Sequence, residues 1–162
     1  MKKIICAFIG VIFLCGCSGA KHPTPVNRNI SYKAHIFYYG EEYDCLIKVD
    51  SNGESSFTLT GGRLDGYNVK FGQDGIILYY MGKEKDVTNN YKKDNMLSVL
   101  YEFNESLCAP VKTTKKDGQF CIKGETVSGE YEYFVSGAGL PLSLSLDNDD
   151  FYVEFYDVSL IK

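Results

Sequence analysis

Most of the chain after residue 29 alternates between apolar and polar positions with a period of two. In the segment 30–38 the even positions are Ile, Tyr, Ala, Ile and Tyr, whereas the odd positions include Ser, Lys and His. Alternation of this kind predicts a strand with one buried face. The same pattern returns in the segments 43–49, 57–59, 67–71, 76–81, 120–125, 130–135, 142–146 and 151–158. The sequence therefore predicts about nine strands.

Tight turns separate the first five predicted strands. Ser51-Asn52-Gly53 and Gln73-Asp74-Gly75 are examples, and Asn-Gly is a strong hairpin signal because both residues tolerate positive φ. Parallel pairing needs crossover connections of a dozen or more residues, for which these turns leave no room. The strands are therefore expected to form an antiparallel meander.

One segment has helical spacing instead. Its apolar residues recur at intervals of three and four, at Met96, Val99, Leu100, Phe103 and Leu107. Asp94 or Asn95 is available as the N-cap, and polar stretches at 82–93 and 110–118 are predicted as loops. A large sheet with a single helix predicts a mostly β fold. The expected architecture is one curved antiparallel sheet, a half-barrel, with the helix packed on its concave side.

The first seventeen residues have the layout of an export signal. Lys2 and Lys3 precede an apolar run over 4–14, which is too short to span the roughly 30 Å hydrocarbon core of a membrane as a helix. The junction Leu14-Cys15-Gly16-Cys17 resembles the lipobox of bacterial lipoproteins. The resemblance implies cleavage before Cys17 and lipid attachment to that cysteine. Two or three acyl chains would anchor the protein stably.

These features predict three regions and a location. Residues 1–16 form the signal peptide, 17–29 a flexible, lipid-anchored tether containing Pro23 and Pro25, and 30–162 a single β-rich domain. The expected location is the extracytoplasmic face of the cell membrane.

The charge of the chain limits its partners. Loss of Lys2 and Lys3 with the signal peptide changes the formal net charge from −4 to −6. An acidic surface argues against a nucleic-acid partner, because binding to phosphates relies on basic side chains. The expected partners are the membrane, through the lipid anchor, and either a hydrophobic small molecule or an envelope protein.

Three cysteines remain after Cys17 is lipidated, namely Cys45, Cys108 and Cys121. At most one disulfide can form among them. Cys108 and Cys121 flank a polar loop and are the candidate pair. The alternative is three buried free thiols.

The remaining residues do not form a recognisable catalytic or metal-binding pattern. The two histidines are His22, in the tether, and His35, in a strand, and no nucleophile is marked to act with either. The chain lacks a CxxC pair and a phosphate-binding glycine loop. The sequence therefore predicts a protein that is not an enzyme and has no cofactor and no metal site.

Three stretches resemble a known group of lipoproteins. They are the segment Gly62 to Tyr67 with Asp74-Gly75 after it, the helix from Met96 to Leu107, and Gly139-Leu140-Pro141-Leu142 before the closing strand. Their order resembles that in small lipoproteins of clostridia and related Gram-positive bacteria, whose domain looks like the half-barrel of the lipoprotein carriers LolA and LolB. This chain lacks the characteristic Trp and Arg positions of that family, and a carrier role does not transfer with the fold.

Two hypotheses about function follow. In the first, the concave face takes up a lipid or similar apolar ligand, and the candidate binding residues are Leu59, Tyr67, Val69, Phe71, Leu78, Phe103, Phe120 and Phe134. In the second, side chains fill the cavity, and the protein is a structural or protein-interaction module of the cell envelope.

Overall fold

The computed structural model describes residues 23–73, 75–88, 95–108, 112–147 and 150–161. The predicted signal peptide (1–16) and the predicted lipidation site, Cys17, lie outside these residues. The strands are β1 (Ile30–Tyr38), β2 (Glu41–Val49), β3 (Ser55–Thr60), β4 (Asn68–Gly72), β5 (Gly75–Tyr80), β6 (Lys83–Asp86), β7 (Thr113–Lys116), β8 (Gln119–Thr126), β9 (Gly129–Val135), β10 (Pro141–Leu146) and β11 (Phe151–Leu160). The α-helix is α1 (Met96–Ser106), and Gly62–Leu64 forms a 3₁₀ turn.

All of these strands belong to one sheet, in the order β6-β5-β4-β3-β2-β1-β11-β10-β9-β8-β7. Each neighbouring pair is antiparallel. The sheet consists of two meanders joined where β1 pairs with β11, and α1 lies between the meanders in sequence. The predicted fold class is confirmed, but the described residues form a sheet of 11 strands rather than about nine.

The two strands that the sequence pattern did not predict are the edges, β6 and β7. Their sequences are Lys-Glu-Lys-Asp and Thr-Thr-Lys-Lys, and all of their side chains except that of Thr113 are exposed. An edge strand covered on neither face has no apolar alternation to reveal it. Lysines on such short edges also hinder pairing with another chain.

The sheet is strongly curved around α1. The ring of Tyr101 on α1 stacks on Phe71 of β4 at 4.5 Å, and Phe103 meets Tyr133 of β9 at 4.7 Å. β4 and β9 are six positions apart in the sheet, which is roughly 29 Å in a flat sheet. A helix about 10 Å wide can contact both strands only if the sheet bends around it.

The helix is fixed by its cap and by its buried face. The Asn95 side chain accepts hydrogen bonds from the backbone N–H groups of Leu97 and Ser98, at 3.0 and 3.2 Å. Asn95 is therefore the N-cap. The apolar residues predicted to face the sheet are all buried, at Met96, Val99, Leu100, Phe103 and Leu107. Their burial fills the middle of the concave face.

Part of the predicted tether lies against the domain. The Val26 N–H donates to the Gly139 carbonyl at 2.9 Å, and the Asn29 N–H donates to the Asp50 carbonyl at 3.3 Å. Pro25 is buried. Residues 23–29 thus lie along the domain in the structure, and the flexible tether over 17–29 stays a prediction.

Candidate functional site

An apolar cavity of about 490 Å³ opens at one end of the concave face. It lies where β1 ends, β2 begins, β3 ends and α1 begins. Its walls are formed by Tyr38, Tyr43, Leu59, Leu64, Tyr67, Leu78, Val87, Asn95, Met96 and Leu97. The cavity is thus bounded by the ends of these strands and by the first turn of α1.

The loop between β3 and β4 forms one wall of the cavity. The Leu59 N–H donates to the Tyr67 carbonyl at 2.8 Å, and the Asp65 side chain accepts from the Gly61 N–H at 2.8 Å. Gly61 and Gly62 have φ values of 81° and 68°, which residues with a Cβ atom rarely adopt. This turn places Leu64 at the mouth, where it is 38% exposed.

Tyrosines give the mouth both apolar surface and polar tips. Tyr38, Tyr43 and Tyr67 line it, and the Tyr43 hydroxyl donates to the carboxylate of Glu41. Partial burial raises the pKa of the Tyr67 hydroxyl above its ordinary value, so this group stays neutral at physiological pH. Such a rim suits a ligand that has an apolar body and a polar end.

The eight predicted binding residues do not all line the cavity. Leu59, Tyr67 and Leu78 line the cavity. Val69, Phe71 and Phe103 also face the concave side, but they are buried in the packed core. They therefore support the cavity without lining it.

The last two predicted residues lie in the other meander. Phe120 is partly buried against the core on β8. Phe134 is on the convex face, where Lys116 Nζ lies 5.7 Å from its ring centroid. Phe134 therefore lies outside the concave surface on which it was predicted, because its neighbours Tyr133 and Val135 take the buried positions of β9.

Several cavity residues were not among those predicted. Leu64 is an apolar residue inside a polar, glycine-rich loop, and this is a signal that could have identified it. Met96 and Leu97 belong to the predicted helix, but their place in the cavity wall follows only from where the first turn of the helix meets the sheet.

The three cysteines that the structure describes, Cys45, Cys108 and Cys121, are free thiols there, so the candidate pair Cys108 and Cys121 is not bonded in it. Cys108 is exposed beyond α1, where its sulfur accepts from Arg28 Nη2 at 2.9 Å. Cys121 is buried on the convex face beside Phe134. Cys45 is buried in the core, and its burial raises the pKa of its thiol to about 12, so it stays protonated.

The convex face holds His35 among carboxylates, away from the cavity. Within the ranges described, no group of three or more His, Cys, Asp and Glu side chains is arranged to hold a metal ion. No helix in those ranges is both long and apolar enough to cross a membrane.

Comparisons with known proteins find similar structures but no similar sequences. No protein-family profile matches the sequence, and a search of curated proteins gives no match. A LolA superfamily protein from Nitrosomonas europaea has 6% identity and a TM-score of 0.47, over 86% of this chain and 89% of that protein. The lipoprotein LppX from Mycobacterium tuberculosis has 11% identity and a TM-score of 0.36, over 80% and 84%. PNGF-II has 11% identity and a TM-score of 0.36, over 82% of this chain but 28% of that protein.

Proposed function

We propose that this protein is a membrane-anchored, exported lipoprotein without catalytic activity, which binds a lipid or another hydrophobic ligand in the cavity beside α1. The main support for this proposal is the cavity. Its volume of about 490 Å³ is within the range of small-molecule pockets, which is about 300 to 1,000 Å³. Its walls are mainly Leu, Val, Met and Tyr side chains, so an acyl chain would replace water on apolar surface.

The anchor supplies the second part of the proposal. The lipobox-like junction makes Cys17 the lipidated residue, and the first described residue is Pro23. Six residues span at most about 20 Å when fully extended. A lipid on Cys17 would therefore keep the domain close to the membrane surface.

A binding titration tests the cavity. The mature chain 17–162 carrying Cys17→Ser retains all of the described residues and needs no detergent. We expect the uncharged probe N-phenyl-1-naphthylamine to gain fluorescence on binding. Leu64→Glu replaces apolar surface at the mouth with a hydrated carboxylate and should weaken binding at least about tenfold, because the apolar probe would have to displace water from that charge.

Leu160→Glu is the matched control. Leu160 is 62% exposed near the end of β11, outside the cavity, so this variant should bind as the parent chain does. A parent chain that never binds the probe, or equal binding by both variants, would contradict the cavity proposal.

Metabolic labelling tests the anchor separately. Cells that express the full chain should incorporate radioactive palmitate into it and retain it in the membrane fraction. Cys17→Ala should abolish both. Labelling that persists in this variant would refute lipidation at Cys17 without bearing on the cavity.

A protein-interaction module is the second candidate function. It is favoured by the packed centre of the concave face, where Val69, Phe71 and Phe103 are almost completely buried. Crosslinking of the anchored protein in membranes should then yield a specific envelope partner. Crosslinking that yields nothing above background would count against this candidate.

A further inference from the structure

Two lysines of the edge strand β6 stand beside the cavity. Lys85 is directly opposite Leu78 of β5, and Lys83 is directly opposite Tyr80. Directly opposed residues of an antiparallel pair project to the same face of the sheet. Leu78 lines the cavity, and the ring of Tyr80 lies 6.0 Å from that of Tyr67, another lining residue. Both lysines are therefore on the cavity side of β6.

The carboxylates of β6 project to the other side and are occupied there. Glu84 accepts a hydrogen bond from the Tyr79 hydroxyl, an interaction that raises the pKa of Tyr79. Asp86 accepts bonds from the backbone N–H and the hydroxyl of Thr88. The strand thus separates its charges, with acidic groups on the convex side and ammonium groups on the cavity side.

Among the described residues, neither Lys83 nor Lys85 forms an ion pair with a carboxylate. The ion pairs there involve Arg28, Lys33, His35, Lys116 and Lys123. Two carboxylates beside the cavity accept other hydrogen bonds: Glu41 accepts from the Tyr43 hydroxyl, and Asp65 accepts from the Gly61 backbone. Two such cations on the cavity side of β6 contrast with the net negative charge of the chain.

We infer that the ligand is an anionic amphiphile, whose acyl chain enters the cavity and whose carboxylate or phosphate group is held by Lys83 and Lys85. This inference rests on the proposed function and names the class of its ligand. An ammonium group at the rim keeps its water while it attracts the anion, so selectivity is obtained without burying a charge. Lysines on an edge strand also hinder edge pairing, and the experiment must separate these two roles.

The test compares a fluorescent fatty acid, cis-parinaric acid, with its methyl ester. Both have the same acyl chain, and they differ in the charge of the head group. With the mature chain carrying Cys17→Ser at low salt, we expect the acid to bind about tenfold more tightly than the ester, consistent with two partly exposed ion pairs. The preference should shrink as salt is raised, because salt screens exposed charges.

Charge-reversal variants test whether the preference for the acid over the ester depends on Lys83 and Lys85 of β6. The double variant Lys83→Glu, Lys85→Glu should lose the preference for the acid and keep its affinity for the ester. The control, Lys48→Glu with Lys70→Glu, makes the same change of charge on the convex face and should keep the preference. Urea unfolding of each variant checks its folding, and Lys83→Gln with Lys85→Gln is the milder replacement if the glutamates prevent folding.

Each outcome has a distinct meaning. Tight binding of both probes without a preference would overturn the head-group inference and leave the cavity proposal standing. Binding of neither probe by the parent chain would overturn both proposals. A preference that survives in the Lys83/Lys85 variants would leave edge protection as the role of these lysines. If the preference is found and lost as expected, competition by lysophosphatidic acid against palmitate identifies which anionic group is preferred.

Discussion

The imidazole Nδ1 of His35 lies 2.8 Å from Oδ1 of Asp44, its direct neighbour across the β1–β2 pair. His35 Nε2 is 3.6 Å from Glu42 Oε2, and Glu154 lies opposite His35 on β11. The hydrogen bond to Asp44 raises the pKa of His35, and the charges of Glu42 and Glu154 act in the same direction. The imidazole therefore lies among three carboxylates that favour its protonated form, at the centre of the convex face.

This cluster predicts a dependence of stability on pH. Because the pKa of His35 is higher in the folded state, its contribution is complete below the unfolded value of about 6.5 and is lost as pH rises through the folded value. The side chain of His35 is 31% exposed, so solvent screening keeps the effect small. Urea unfolding between about pH 5.5 and 8.5 should show the advantage of the parent chain over His35→Gln shrinking as pH rises. A constant difference over this range would contradict the prediction.

The N-cap of α1 should be measurable by substitution. Asn95→Ala removes the side-chain oxygen that accepts from Leu97 and Ser98, which should cost about 1 kcal/mol of unfolding free energy. Asn95→Asp retains an accepting oxygen and should recover most of this loss. Urea unfolding of the three proteins makes the comparison, and equal losses in both variants would show that the capping bonds are not the cause.

Two valines provide a matched test of the core. Val153 is 0% exposed on β11, whereas Val127 is 95% exposed in the turn between β8 and β9. Val153→Ala should lower the unfolding free energy by about 2 kcal/mol, through lost burial and a small cavity. Val127→Ala should change it by less than about 0.5 kcal/mol. Similar values for the two variants would contradict the packing of β11 in the core.

Gly139 should control the docking of the N-terminal segment. A Cβ at Gly139 would lie 2.0 Å from the carbonyl oxygen of Thr24, so Gly139→Ala must push the segment away. Gly118 also has positive φ, +85°, but its Cβ would meet open space, so Gly118→Ala controls for backbone strain alone. Limited proteolysis should cut near residue 24 faster in Gly139→Ala than in the control. Equal rates would show that the contact does not hold the segment.

The sequence predicted those elements in which the spacing of apolar residues follows the buried face of a strand or helix. The alternation over 30–38 became β1, and the spacing from Met96 to Leu107 became α1 with Asn95 as its cap. The sequence did not predict β6 and β7, because strands with exposed polar side chains on both faces show no alternation of apolar and polar residues. The placement of Phe134 on the convex face shows a related limit, since an aromatic residue in an alternating strand can pack on either side.

The sequence by itself determined the strands with one buried face, the helix, the antiparallel connections and the acidic character of the chain. These properties depend on neighbours in sequence, through alternation, capping and turn chemistry. Only the tertiary structure decided that β1 pairs with β11, that the sheet bends around α1, and that Tyr38, Leu64 and Leu97 meet at one cavity. The residues that line the cavity lie far apart in the chain, so their meeting depends on long-range contacts that local sequence patterns do not report.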